Sequence, residues 1–150
     1  MGFTILAACG GFLIAVLWMD LMFDVQTLRP RVQPLPERVL DSIAAYYRRV
    51  TTEASPMGRL VGGVMAAAVA TAVVQLVMGP ARWTSAVSLL LLAPPLLLAQ
   101  LRIFPAAVRL GAQQDTPESQ SRLAREICRN HLICLAAMVA FTGLQLLSAP

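Results

Sequence analysis

Four long stretches of the chain are apolar nearly throughout, and the charged residues avoid them. They cover residues 3–23, 60–79, 83–101 and 131–149. Each is close to the ~20 residues that cross ~30 Å of hydrocarbon as a helix rising ~1.5 Å per residue. Charge that is excluded from such segments marks membrane spans rather than a greasy soluble core. The pattern therefore predicts an all-α, polytopic membrane protein, a four-transmembrane-helix bundle forming one domain over residues 1–150. "GPAR" between spans two and three reads as a tight turn, which makes those two helices antiparallel neighbours.

The longer connections, residues 24–59 and 102–130, also carry helical patterns. In "LPERVLDSIAAYYRRVTTEASP", Pro36 is followed by Val39, Leu40, Ile43, Tyr47, Val50 and Ala54 at helical spacing. That spacing predicts an amphipathic helix lying along the cytoplasmic surface, its arginines toward anionic headgroups. In "DTPESQSRLAREICRNHL", Thr116 is placed to cap a helix with Pro117 at its first position and Glu118 in its first turn. No breaker follows, so this helix is expected to run straight into span four.

Composition supports the same class. With 57% hydrophobic and only 13% charged residues, the chain cannot cover a soluble surface. All twelve basic residues are arginine, and eleven of them lie in or beside the two long connections; only Arg82 lies in the short one. Positive-inside bias then puts both long connections in the cytoplasm and both termini outside, in a multi-pass inner-membrane protein. Trp18 and Trp83 fall near opposite faces, as interfacial anchors do. The net charge of +4 comes without a basic helix interleaved with aromatics, so nucleic acid is not an expected partner, and anionic lipid is.

Processing and cysteine signals are negative. "LAAC" before Cys9 resembles a lipidation box, but no basic region precedes it and only five residues come before it. "MGFTIL" lacks the Ser or Thr at position 6 of a myristoylation signal, so an uncleaved first span is expected. Cys9, Cys128 and Cys134 form no CxxC and read as small packing residues. Ala7, Gly11 and Ala15 in span one, and Gly62, Ala66 and Ala70 in span two, recur every four residues as helix-packing stripes. Pro94 and Pro95 should kink span three or free backbone carbonyls near its middle.

Candidate chemistry gathers at one level of the bundle. Asp20 and Asp24 share a helix face at the end of span one. Arg59 opens span two, Arg102 closes span three, and Arg129, Asn130 and His131 open span four. The bland expectation is an ion-paired collar, the acids pointing inward to neighbouring arginines, since an unpaired acid costs about 2.5–3.5 kcal/mol at mid-membrane. A site built from Asp20, Asp24, Glu53, Glu126, Asn130 and His131 would suit a hard metal, but weakly. Glu126 and His131 are five apart rather than three, and the single histidine excludes two-histidine sites, so no metal is expected. Arg48, Arg49, Arg59, Arg102, Arg125 and Arg129 could hold a lipid headgroup or another anion. His131 could act as an acid or base near neutral pH. Met19, Met22, Met57 and Met65 follow no MxxM repeat and read as packing, and no nucleophile elbow, P-loop, dinucleotide fingerprint or HExxH is present. The cofactor, if any, stays unknown.

With four spans, both termini outside and "RNHL" entering the last span, the layout is similar to a broad set of small four-helix membrane proteins that includes the anthrone-oxygenase-like family. That resemblance implies no site residue. The expected role is an accessory or scaffold subunit binding a larger membrane complex, a second copy of itself or anionic lipid. The alternative is a membrane-embedded, oxidoreductase-like enzyme using Asp20, Asp24 and His131 on a lipophilic substrate such as a quinone or polyketide.

Overall fold

The structure is a computed structural model, and it describes residues 2–28, 32–53, 55–79 and 82–148. Everything regular among them is helical: α1 (Gly2–Asp24), α2 (Glu37–Arg48), α3 (Ser55–Met78), α4 (Arg82–Leu98), α5 (Phe104–Ala112) and α6 (Pro117–Ser148). Four helices are long and apolar enough to cross a membrane, namely Gly2–Thr27, Pro56–Met78, Arg82–Ala112 and Pro117–Ser148. The third of these is α4 and α5 joined through a π-helical turn at Ala99–Ile103. The chain is thus a multi-pass, four-helix membrane bundle. Ala54 of the amphipathic pattern and the 80–81 turn lie outside the described residues.

The four long helices form a ring in which α1 packs on α3 and α6, and α4 packs on α3 and α6. In lipid, apolar surface gains nothing by leaving solvent, so close packing must hold these contacts. Leu6 and Leu13 of α1, Met65, Ala68 and Ala72 of α3, Leu92 of α4, and Met138 and Phe141 of α6 fill this first core. Gly10 supplies the close approach of α1 to α6: a Cβ there would run into Thr142 and the Phe141 ring. The small-residue stripes lie elsewhere. Gly11, Ala15, Gly62, Ala66 and Ala70 are all exposed, and a Cβ at Gly11 or Gly62 would meet nothing within 4 Å. They do not hold this chain's own helices together.

At 32 residues, α6 measures about 48 Å, well beyond the ~30 Å of a hydrocarbon layer. Thr116 caps it as expected, its Oγ1 accepting from Ser119 N. A second core forms at this end, where α2 packs on α5 and α6. It comprises Leu35, Leu40, Ile43, Tyr47, Ile103, Ala106, Ala107, Leu110, Ala124, Ile127 and Cys134. The amphipathic helix expected here forms as α2, and its apolar stripe is buried against protein. Each such side chain is worth roughly 1.5–3 kcal/mol where it leaves water. Gly111 permits the fit, because a Cβ there would come within 2.8 Å of Arg48 N and 3.0 Å of Arg48 Cα. Leu17 packs against both cores, and the functional candidates lie beside it at the junction.

Candidate functional site: an imidazole between two carboxylates

Asp24, the last residue of α1, is fully buried. A buried carboxylate must be hydrogen-bonded to persist, and two elements supply the donors. Tyr47 of α2 donates from its phenol to Asp24 Oδ1 at 2.6 Å. His131, near the middle of α6, places Nδ1 2.6 Å from Asp24 Oδ2. An ionised carboxylate only accepts, which assigns the hydrogen to Nδ1. The other ring nitrogen, Nε2, lies 3.7 Å from Asp20 Oδ2. That distance is beyond a direct hydrogen bond, so Nε2 is the unbound end of the ring.

Asp20 sits one turn before Asp24 and receives the second phenol, Tyr46 Oη to Oδ1 at 2.5 Å. Tyr46 also stacks on Phe23 with ring centroids 4.0 Å apart. The result is two hydrogen-bonded arms, Tyr46–Asp20 and His131–Asp24–Tyr47, drawn from α1, α2 and α6 and set 3.7 Å apart at the imidazole. Burial, then the neighbouring carboxylate (Asp24 beside Tyr47, Asp20 beside Tyr46), pushes both phenols well above the usual tyrosine range. Both hydroxyls therefore stay protonated donors at any physiological pH.

The ion-paired collar is corrected by this geometry: among the described residues, the acids are bound by two phenols and an imidazole, not by arginines. Of the candidate arginines, Arg59 lines the cavity described below, and the others are engaged elsewhere or exposed. Arg48 donates to Gly111 O at 3.0 Å and to Gln113 Oε1, Arg102 meets Glu126 at 3.7 Å, and Arg125 donates to Val32 O at 2.7 Å. Arg49 and Arg129 are exposed. Glu53 is exposed and Glu126 is drawn to Arg102, so neither joins the acids, and Asn130 is buried beside His131 in sequence. Among the described residues, no group of three His, Cys, Asp or Glu side chains is set to hold a metal ion.

Asp20, Tyr47 and His131 are among the residues lining a half-open cavity of about 520 Å³ in the bundle. Its walls are apolar, with Leu13, Leu17, Met65, Pro95, Cys134 and Met138 among them. Arg59 and Gln100 add polar groups from α3 and from the π-helical turn after α4. Pro95 faces this space, whereas Pro94 is exposed. Sequence reasoning missed Tyr46 and Tyr47 as site residues and counted Tyr47 as apolar filler of the α2 stripe. The signal was present, because a phenol on a helix's buried face needs a partner for its hydroxyl.

No family model matches the chain, and neither a curated protein nor a solved structure is detectably similar to it. The functional reading rests on the geometry alone.

Proposed function

We propose that the protein is a membrane-embedded enzyme that binds a lipophilic, weakly acidic molecule in the bundle cavity and removes a proton from it with His131. Phenols, hydroquinones and enolisable polyketide-like compounds are the matching substrate class. The observation that carries this is the orientation of His131. Asp24 holds Nδ1 at 2.6 Å while Nε2, without a hydrogen bond, stands 3.7 Å from Asp20 Oδ2, and His131 lines a largely apolar chamber. This is the orienting-carboxylate arrangement of a general base, since a fixed Nδ1–H leaves a lone pair on Nε2. In the step, Nε2 takes the O–H or C–H proton and the bond's electron pair stays on the substrate as an oxyanion or enolate. The imidazolium that forms sits between Asp24 and Asp20, whose charges attract it. Arg59 offers the cavity a cation for the new anion. The largely apolar walls strengthen the charge interactions beside them.

The arginine distribution supports placing this end of the bundle at the cytoplasmic face of an inner membrane, with exposed arginines meeting anionic lipid. A second reading, an accessory subunit, is favoured by the exposed Gly11 and Ala15 face of α1, which leaves room for a foreign helix. One experiment separates the two readings. Wild-type, His131→Gln and Asp24→Asn proteins are drawn from their own membranes in mild detergent and weighed by native mass spectrometry. A lipophilic compound retained by the wild type and lost from both variants supports the enzyme. A wild type that carries other protein chains, with no small molecule sensitive to these substitutions, overturns it in favour of the subunit.

A further inference from the structure

The cavity does not end at the bundle wall. A second depression, of about 360 Å³, lies between α3 and α4, and Gly62, Met65 and Gln100 line both spaces. Along α3 it is floored by Ala66 and Ala70, which are exposed, and α4 contributes Leu96. Ala66 and Ala70 are not part of the buried core, to which α3 contributes Met65, Ala68 and Ala72. What they do is keep a trough open from the polar chamber to the lipid-facing side of the bundle. The two spaces differ in character: carboxylate, imidazole, guanidinium and amide groups reach the first, and apart from Gln100 at the junction the second is wholly apolar.

We infer that the molecule held in the cavity carries a flexible apolar chain, alkyl or isoprenoid, which leaves between α3 and α4 along Gly62, Ala66 and Ala70. The inference rests on the proposed function and names the substrate class more closely: an acidic ring or enol as head, a lipid chain as tail. A head near His131 and a chain in the trough would use both spaces at once. A chain remaining in hydrocarbon also lets the substrate arrive from the membrane without crossing water.

The test uses the intact protein in phospholipid nanodiscs and two photoreactive forms of 4-dodecylphenol. One carries a diazirine beside the ring and the other at the chain end, and excess unlabelled 4-dodecylphenol is the competitor. The ring-side probe is expected to label the cavity, at residues such as Cys134, and the chain-end probe to label α3 or Leu96 along the trough. Competable labelling of the cavity by the ring-side probe, with chain-end labelling elsewhere, overturns the chain path and leaves the proposed function standing. If neither probe gives competable labelling in the cavity, both fall. Ala66→Trp fills the trough from its exposed side. It should weaken 4-dodecylphenol binding roughly tenfold or more, given the apolar contact eleven methylenes can make, while leaving 4-methylphenol binding unchanged. If Ala66→Trp leaves 4-dodecylphenol binding intact and instead separates a homo-oligomer, the trough is a seat for another helix and the inference is wrong.

Discussion

Nδ1 of His131 lies 2.6 Å from Oδ2 of Asp24, across 107 residues of sequence. The contact ties the end of α1 to the middle of α6 where the two cores meet, and Tyr47 closes it from α2 on the other carboxylate oxygen. Three elements thus depend on one carboxylate that no solvent reaches. Such a network is costly when incomplete, because each orphaned buried group forfeits its hydration without replacement.

Tyr47→Phe is the direct probe of that cost. It keeps the ring and removes only the donor, leaving Asp24 Oδ1 buried without a partner, and should destabilise the protein by about 1–3 kcal/mol. Tyr46→Phe should cost less, because its acceptor Asp20 keeps 18% of its side chain exposed and can recruit water. Thermal melts of the two variants in one detergent provide the comparison. A larger loss for Tyr46→Phe would contradict the burial order of the two acids.

Alkaline pH should unfold the protein through the same phenols. Both are raised above the usual tyrosine range, first by burial and then by the adjacent carboxylate. Above about pH 10 the unfolded chain gives up its phenolic protons while the folded one still holds them. The folded state then binds more protons, and stability falls as pH rises. The contribution is fully present below the unfolded value and is lost going upward. In Tyr46→Phe/Tyr47→Phe the melting temperature should decline less steeply above pH 10 than in the wild type. Parallel declines would mean that other groups set the alkaline limit.

Much of this architecture could be read from the residues, and the reason for each failure is physical. Hydrophobic runs announce spans because lipid leaves no other solution for the backbone, and Thr116-Pro117 announces a helix start because capping is local. Asp20 and Asp24 share a face by helical period, and His131 was placed at their level by counting residues into span four. Their partners could not be counted. Whether an acid meets an arginine or a phenol depends on how α2 folds back, and that depends on Gly111 admitting the Arg48 backbone. The small-residue stripes show the converse error. Spacing of four says which residues share a face and nothing about what the face meets.

Gly111 and Gly62 therefore form a contrasting pair. Gly111→Ala forces a Cβ against the α2 backbone at 2.8–3.0 Å, and backbone cannot rotate away as a flexible side chain can. A loss of about 1–3 kcal/mol is expected, of the size seen on overpacking a core. At Gly62 the added methyl meets open space, and Gly62→Ala should leave the melt unchanged within error. Equal losses at both positions would show that helix propensity or membrane insertion, not the α2–α5 contact, governs the effect.

The tautomer of His131 is the last expectation and can be measured without knowing the substrate. His131 is the only histidine in the chain, so protein labelled with ¹⁵N-histidine yields one imidazole signal pair. Donation from Nδ1 to the Asp24 carboxylate across the 2.6 Å contact leaves Nε2 bare when the ring is neutral. Asp24→Asn replaces an acceptor-only group with an amide that can present its NH₂ to Nδ1. The ring should then move its hydrogen to Nε2, which removes that nitrogen's lone pair without removing the imidazole. By the logic of an oriented catalytic base, turnover should fall on the order of 10³–10⁴-fold, with the fold preserved. Two spectra would defeat the positioning role of Asp24: an unchanged Nδ1–H signal in Asp24→Asn, or a wild type with both nitrogens protonated across neutral pH. The second would make His131 a fixed cation pairing Asp20 with Asp24, and the site a structural clasp.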